Sequence, residues 1–181
     1  MTGHLPPPAA DCRLHPGVEV RHSPIEGHGL FATAAIPAGT VVSRLGGRLV
    51  SGTELRRILA EPGRSYVDTI TVGADTHLVL PPRRDNGYGN HGCDPNLWWT
   101  GPYDLAARRD LAAGEELTND YATSTADPAF TMRCDCRAAL CRGTVTGNDW
   151  QQADLTDRYG SHWVPALLDL INRRTHSGSE R

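Results

Sequence analysis

The hydrophobic positions of this chain come in short runs that glycine and proline interrupt every few residues. The runs "VEVRHSP", "GLFATAAIPAGTVVSRLGG" and "SYVDTITVGADTHLVLPP" have this form in the first half of the sequence. Runs of about four to eight residues that end at Gly or Pro are typical of short strands joined by turns. We therefore predict several small sheets rather than one large sheet.

Helical patterns occur once in the middle of the chain and again at its C-terminal end. "SGTELRRILAE" predicts a short helix with Ser51 or Thr53 as its N-cap. "DLAARRDLAAGEELTNDY" predicts two strands on either side of a turn at Gly114. "DWQQADLTDRYGSHWVPALLDLINRR" predicts helices, with Pro165 at or near the start of the last one.

Composition indicates a globular protein of about one domain. The chain has 181 residues, of which 39% are hydrophobic and 22% charged, so it is long enough to bury its own core. The net charge of −3 argues against direct nucleic-acid binding, which needs a basic face. The start has no secretory pattern, and no apolar run is long enough to cross a membrane. We expect a cytoplasmic monomer.

The charged residues are unevenly distributed. All eighteen basic residues are arginine, a composition typical of GC-rich genomes. Between Asp110 and Met132 there are acidic residues and no arginine. This segment is either an ordinary exposed acidic loop or a surface that attracts a basic peptide.

The five cysteines point to a metal site rather than to disulfides. Cys134, Cys136 and Cys141 form a Cys-x-Cys-x4-Cys cluster, and an odd count without a secretory signal argues against a disulfide framework. Tetrahedral zinc needs four ligands, so the cluster lacks one, and Cys93 is the natural candidate. Cys12 is expected to be an uninvolved thiol.

Four motifs in order resemble the SET-domain protein-lysine methyltransferases with a zinc-binding post-SET segment. They are "EGHGLFATAAIPAGTVV", "NHGCDPN", "GEELTNDY" and "CDCRAALCRG". Each motif alone is common, but all four in this order, with a cysteine in the second that matches three in the fourth, are specific. The resemblance runs from about residue 18 to residue 145.

The resemblance implies a mainly β, β-clip-like SET fold of several small sheets with short helices. Segments near 86–96 and 115–123 are expected to pass one another as a pseudoknot around the active site, and helices follow at the C-terminal end. We divide the chain into a loosely ordered leader (1–16), the SET domain (17–125), a post-SET zinc segment (126–147) and a C-terminal helical extension (148–181).

The resemblance also implies the roles of single residues. Tyr121 matches the family's catalytic tyrosine, and Asp120 beside it is expected to be structural. One structural Zn²⁺ is expected on Cys93, Cys134, Cys136 and Cys141. Contacts to S-adenosyl-L-methionine are expected from the glycine loop, from an aromatic residue and from the Asn-His pair: Glu26, Gly27, His28, Gly29, Tyr66, Asn90 and His91.

The sequence departs from the family pattern at several places. Gly87 stands where the family usually has Arg, and Gly47 stands where it usually has Glu. Asn119 replaces the Phe or Tyr that governs how many methyl groups are added, so the degree of methylation stays open.

Three functions remain possible at this point. The first is methyl transfer to the lysine amine of a protein or peptide, which is expected to be basic. The second is a catalytically silent peptide-binding module of the same fold, and the third is a transferase acting on a small amine or a short peptide.

Overall fold

The computed structural model of the protein describes residues 5–62, 67–82 and 84–178. The described elements are thirteen short strands, three α-helices and three short 3-10 helices. The strands are β1 (Arg13–Leu14), β2 (Val18–His22), β3 (His28–Ala32), β4 (Val41–Arg44), β5 (Arg48–Val50), β6 (Thr69–Gly73), β7 (Thr76–Val79), β8 (Asn90–His91), β9 (Leu97–Trp99), β10 (Asp104–Ala107), β11 (Glu116–Asn119), β12 (Thr131–Arg133) and β13 (Thr144–Thr146). The helices are α1 (Gly52–Leu59), α2 (Ala153–Tyr159) and α3 (Pro165–Gly178).

The strands form small sheets, as the interrupted hydrophobic runs predict. Two four-stranded sheets have the orders β1-β4-β10-β9 and β2-β3-β11-β8. A three-stranded sheet has the order β5-β7-β6, and β12 and β13 form a hairpin. The predicted mainly β fold with short helices is therefore confirmed.

Local signals account for the element boundaries. Ser51, rather than Thr53, is the N-cap of α1, and its Oγ accepts from the Glu54 amide at 3.2 Å. Gly114 has φ +82° in the turn before β11, a conformation that glycine adopts without a Cβ clash. Pro165 is the first residue of α3, where its missing N–H costs no helical bond.

Strands β8 and β11 bring two separate chain segments together. These strands pair in parallel, with Asn90 opposite Thr118 and His91 opposite Asn119. Strand β11 also pairs with β3 on its other edge, and its Leu117 is fully buried. The two segments predicted to form the pseudoknot thus lie side by side.

Residues 5–16 pack against the body, whereas the sequence predicted a loosely ordered leader. Strand β1 pairs with β4, and the Tyr103 hydroxyl donates to the Pro6 carbonyl at 2.7 Å. The Gly47 amide donates to the Ala9 carbonyl at 2.8 Å, and Arg84 binds the Asp11 carboxylate through two nitrogens. Backbone pairing that no local hydrophobic pattern signals therefore orders this part of the chain.

The C-terminal helices are part of the main core. Leu155 and Tyr159 of α2, Trp163, and Leu167 of α3 are each about 1% exposed. Of the helices that the structure describes, none has the length and apolar character needed to cross a lipid bilayer.

The backbone conformation at residue 47 explains why a glycine stands there. It has φ +136°, and a Cβ there would lie 2.1 Å from the Val79 carbonyl oxygen. We predict that Gly47→Ala lowers the free energy of unfolding by about 2–4 kcal/mol, because strain and a backbone clash add. Urea denaturation measures this. Gly101→Ala is the control, since nothing lies within 4 Å of its Cβ position, and a similar loss there would contradict the explanation.

Candidate active site and metal centre

The turn between β2 and β3 carries the predicted glycine loop. Glu26, Gly27 and His28 are exposed, and Gly27 has φ +46°. The Ser23 hydroxyl is buried at the base of this turn and accepts from the Ile25 amide at 2.9 Å. The turn is thus an exposed loop on a fixed base.

The Asn90 side chain holds this loop from β8. Its Nδ2 donates to the Glu26 carbonyl at 3.2 Å, to the His28 carbonyl at 3.0 Å and to Glu116 Oε1 at 2.9 Å. Among the described residues, none donates to Asn90 Oδ1. The Asn90 side chain therefore holds the loop in place through its nitrogen, and its oxygen can accept from a ligand.

Gly29 leaves room for the Glu116 carboxylate at the base of the loop. A Cβ at Gly29 would lie 2.2 Å from Glu116 Oε1, the same oxygen that accepts from Ser23 Oγ at 2.7 Å and from Asn90. Sequence reasoning missed Ser23 and Glu116. The one available signal was the second Glu of "GEEL", which an ordinary turn also explains.

His91 points towards the cysteines. It is 4% exposed, its Nδ1 accepts from the Tyr121 amide at 3.2 Å, and its Nε2 lies 3.3 Å from Cys93 Sγ. Burial lowers the pKa of His91 to about 4, so the ring is neutral near pH 7. Because Nδ1 accepts, the proton is on Nε2, which donates to the Cys93 sulfur.

Four cysteines meet beside His91, as the spacing and the resemblance predicted. The Sγ atoms of Cys93, Cys134, Cys136 and Cys141 all lie within 4.8 Å of one another. Cys134 Sγ is 3.7 Å from both Cys93 Sγ and Cys141 Sγ. A tetrahedron with Zn–S bonds of about 2.3 Å has edges of about 3.8 Å. The donor set and its spacing therefore fit zinc.

Backbone amides also point at these sulfurs. The Arg142 amide donates to Cys93 Sγ at 3.3 Å, and the Cys93 amide donates to Cys136 Sγ at 3.4 Å. Burial raises the pKa of Cys136, but hydrogen bonds from the amides of Cys93 and Ala138 and from the thiols of Cys134 and Cys141 together lower it to about 7. Burial raises the pKa values of Cys93 and Cys134, so the surroundings favour the thiolate at Cys136 and the thiol at those two residues.

A buried ion-pair network joins the cysteine segment to the turn that holds Tyr121. Arg142 donates from Nη1 and Nη2 to the two oxygens of Asp120, each at 2.7 Å, and from Nε to Asp149 at 3.1 Å. The Asp120 side chain is 0% exposed, and Tyr159 of α2 donates its hydroxyl to Asp120 at 2.8 Å. Burial and the Asp120 charge raise the pKa of Tyr159 well above its ordinary value, so this hydroxyl keeps its proton. The structural role expected for Asp120 agrees with these contacts.

Tyr121 follows Asp120 and begins a short 3-10 turn. Its hydroxyl donates to the Gly89 carbonyl at 2.9 Å, and its ring lies 5.3 Å from the His91 ring. Tyr121 and Asn119 line a cavity of about 730 Å³. Asn119 is 8% exposed and faces this cavity. Tyr66 lies outside the described residues.

A second cavity lies next to the glycine loop. Its volume is about 430 Å³, and its walls include Pro24 and Ile25 on one side and Cys134 and Cys141 on the other. The two cavities share no described lining residue. The loop and cysteine segment therefore border one space, and Tyr121 borders another.

Three acidic residues of segment 110–132 bind other groups of the protein. Glu115 binds Arg109 and Asn96, and these contacts, which outweigh burial, lower the pKa of Glu115 to about 2. Glu116 anchors the loop and Asp120 pairs with Arg142. Of the acidic residues in this segment, Asp127 is the one that lines the larger cavity.

Breaking the Asp120 pair should destabilise the protein. We predict that Arg142→Met lowers the free energy of unfolding by about 3–5 kcal/mol, because it leaves a buried carboxylate without its cation. Chemical denaturation measures the change. Arg133→Met in the same segment is the control, since that side chain is 85% exposed and a surface pair contributes about 0–1 kcal/mol. Equal losses in the two variants would argue against the buried pair.

Comparisons with known proteins bear on this geometry. Residues 27–122 match the SET domain family. The chain is 30% identical over 142 residues to the histone-lysine N-methyltransferase ash1 of Drosophila melanogaster, and the match covers 73% of this chain and 6% of that protein. It is 34% identical over 137 residues to the H3 lysine-4 specific histone-lysine N-methyltransferase of Cryptococcus neoformans, covering 67% of this chain and 9% of that protein. The chain thus spans less than a tenth of either relative.

A shorter relative and a solved structure agree with these matches. Methyltransferase flvH of Aspergillus flavus is 26% identical over 141 residues, covering 76% of this chain and 70% of that protein. The methyltransferase domain of human histone-lysine N-methyltransferase SETMAR has a TM-score of 0.55 and 22% identity, over 72% of this chain and 57% of that chain, which shows the shared fold. The family match covers more than half of the sequence, and the chain belongs to the SET-domain family of methyltransferases.

Proposed function

We propose that this protein transfers methyl groups from S-adenosyl-L-methionine to the side-chain amine of lysine in a protein or peptide. The observation that carries the proposal is that the glycine loop and Tyr121 border two separate cavities. One cavity adjoins the exposed loop that Asn90 anchors, and the other contains Tyr121. A donor and an acceptor can therefore approach from different spaces.

The cofactor side is assigned to the loop and the Asn-His pair. Bound S-adenosyl-L-methionine supplies a methyl group on a positively charged sulfur. Glu26, Gly27 and His28 present exposed loop backbone, and Asn90 Oδ1 accepts from the cofactor's amino group. His91 contributes through its backbone, because its ring is engaged with Cys93 and Tyr121. Gly29 acts indirectly by making room for Glu116.

Tyr121 is proposed as the catalytic residue. Its hydroxyl donates to the Gly89 carbonyl, which fixes the oxygen in a position to accept from the substrate amine. The contribution is one of positioning and electrostatics. Lysine has a reference pKa of about 10.4, so about one molecule in a thousand is neutral near pH 7.4. Burial of the amine beside a positive sulfur lowers that pKa and favours the nucleophile.

The zinc is proposed as structural. Four thiolates, from Cys93, Cys134, Cys136 and Cys141, complete a tetrahedron and leave no position for substrate. We assign residues 126–147 as the post-SET zinc segment and 17–125 as the SET domain. Residues 148–181 form the helical extension, and its Tyr159 reaches Asp120 beside the catalytic residue.

The relatives support a polypeptide substrate. Two of them are named as histone-lysine methyltransferases, although the chain covers little of their length. The absence of lysine from this sequence simplifies the assay, because the enzyme has no lysine side chain that could accept label.

We predict methyl transfer that depends on Tyr121. The purified protein with labelled S-adenosyl-L-methionine and a proteome extract should label lysines, which mass spectrometry identifies. Tyr121→Phe should lower the rate by about 10²-fold or more, because the hydroxyl that orients the amine is lost. Tyr103→Phe is the matched control, since its hydroxyl binds the Pro6 carbonyl away from the site.

The pH profile adds an independent check on the same reaction. The rate should rise from pH 7 towards pH 9 as more of the amine is neutral, provided that chemistry limits the rate. Cofactor binding with no Tyr121-dependent transfer to any polypeptide would instead indicate a silent binding module. Transfer to small amines alone would limit the activity to free amines.

We also predict about one zinc per chain and a coupling between metal and cofactor. Cys136→Ser should lose the zinc and weaken S-adenosyl-L-methionine binding by about tenfold or more, because the cysteine segment forms one wall of the loop cavity. Metal analysis and calorimetry measure the two effects. Cys12→Ser, which changes a thiol outside the cluster, should retain both. Unchanged cofactor affinity in a zinc-free Cys136→Ser protein would refute the coupling.

A further inference from the structure

The cavity that contains Tyr121 is much larger than a lysine side chain requires. A lysine side chain has five non-hydrogen atoms, which at roughly 30 Å³ each occupy about 150 Å³. The cavity measures about 730 Å³, within the roughly 300–1,000 Å³ that holds a drug-sized ligand. Most of the space is therefore left for another part of the substrate.

The cavity that contains Tyr121 has apolar walls from three separate elements. Leu55 and Leu59 come from α1, Ile70 comes from β6 and Leu170 comes from α3. Leu59 is 53% exposed, one of few large apolar side chains that the described surface shows. Such a side chain beside a cavity favours an apolar occupant.

Helix α3 gives the cavity a defined wall. Ala166, Asp169, Leu170 and Arg173 line it, and their spacing of three and four residues places them on one helical face. The neighbouring Leu167 packs into the core and holds the helix in place. The C-terminal extension thus shapes the substrate side of the site.

Among the residues that the structure describes, the charged groups that line this cavity are mainly acidic. Asp68, Asp127 and Asp169 contribute carboxylates, and Arg173 contributes a guanidinium. His77 also lines the cavity, and burial lowers its pKa, so it adds no charge near neutral pH. The balance favours a substrate with positive charge near its apolar group.

We propose that the substrate is a peptide segment in which a large apolar residue and a basic residue flank the target lysine. The lysine reaches Tyr121, and the apolar side chain occupies the space between Leu59, Ile70 and Leu170. The basic residue lies near Asp127 and Asp169. This inference rests on the proposed function and adds the recognition of the neighbouring residues.

The test uses nine-residue peptides with a central lysine and serine at the remaining positions. Leucine, phenylalanine or glycine is placed at each flanking position in turn, with and without one arginine. At the best position, leucine or phenylalanine should raise kcat/KM about tenfold or more over glycine, the effect of filling an apolar pocket. Adding arginine should raise it further.

Matched variants test whether the residues that line the cavity cause these peptide preferences. Leu59→Ala should reduce the leucine-to-glycine ratio by about threefold or more, whereas Val41→Ala, an exposed valine outside the cavity, should leave it unchanged. Asp169→Asn should reduce the preference for arginine, whereas Asp157→Asn on α2 should not.

The possible failures can be told apart. Peptides that are methylated with less than twofold variation among flanking residues would overturn this inference and leave the proposed function intact. Hexylamine methylated faster than every peptide would overturn it in favour of a small-molecule substrate. If cofactor binds but neither peptides nor proteome extract show Tyr121-dependent transfer, the proposed function fails and the inference falls with it.

Discussion

The ion pair between Arg142 and Asp120 joins the cysteine segment to the turn that begins at Tyr121. Arg142 follows Cys141, the last residue of the cysteine cluster, and Asp120 precedes Tyr121 just after β11. Both charges are almost fully removed from water, so their desolvation is offset only while the bidentate geometry and the bond from Tyr159 are intact. A shift of the cysteine segment, of the tyrosine turn or of α2 would break this geometry. The ion pair therefore holds all three in one arrangement.

The four residues of strand β11 contact different parts of the site. Glu116, at its start, anchors the loop through Asn90 and Ser23, and Leu117 fills the core. Asn119, at its end, faces the larger cavity. The next residue, Asp120, pairs with Arg142, and Tyr121 follows it. Because side chains alternate along a strand, this one short element can contact the glycine loop, the larger cavity and the core. Its parallel pairing with β8 fixes the loop and the tyrosine relative to each other.

The sequence predicted what local patterns and a small set of reactive residue types can reveal. Gly114, Ser51 and Pro165 marked turns and helix starts, because their backbone preferences act within a few residues. Cys93 could be added to a cluster about forty residues away because tetrahedral coordination demands a fourth ligand.

Partners that are distant in sequence could not be predicted. Ser23 meets Glu116 across 93 positions, and Arg142 meets Asp120 across 22, with no periodicity to connect them. The direction of the His91 ring likewise depends on the pairing of β8, so its contact with Cys93 emerges only from the fold. The packing of residues 5–16 could not be predicted for the same reason. Backbone hydrogen bonds, which any residue can make, hold this segment against the body.

The distance along the chain between Asp120 and its partners has a consequence for biosynthesis. A nascent chain emerges from its N-terminal end and domains begin to fold during translation. Strands β8 and β11 are made before Arg142, Asp149 and Tyr159, which complete the surroundings of Asp120. Until those residues leave the ribosome, the Asp120 carboxylate has no buried cation and remains in contact with water. The turn that carries Tyr121 is therefore among the last parts of the protein to become rigid, although it is synthesised well before the C-terminal helices.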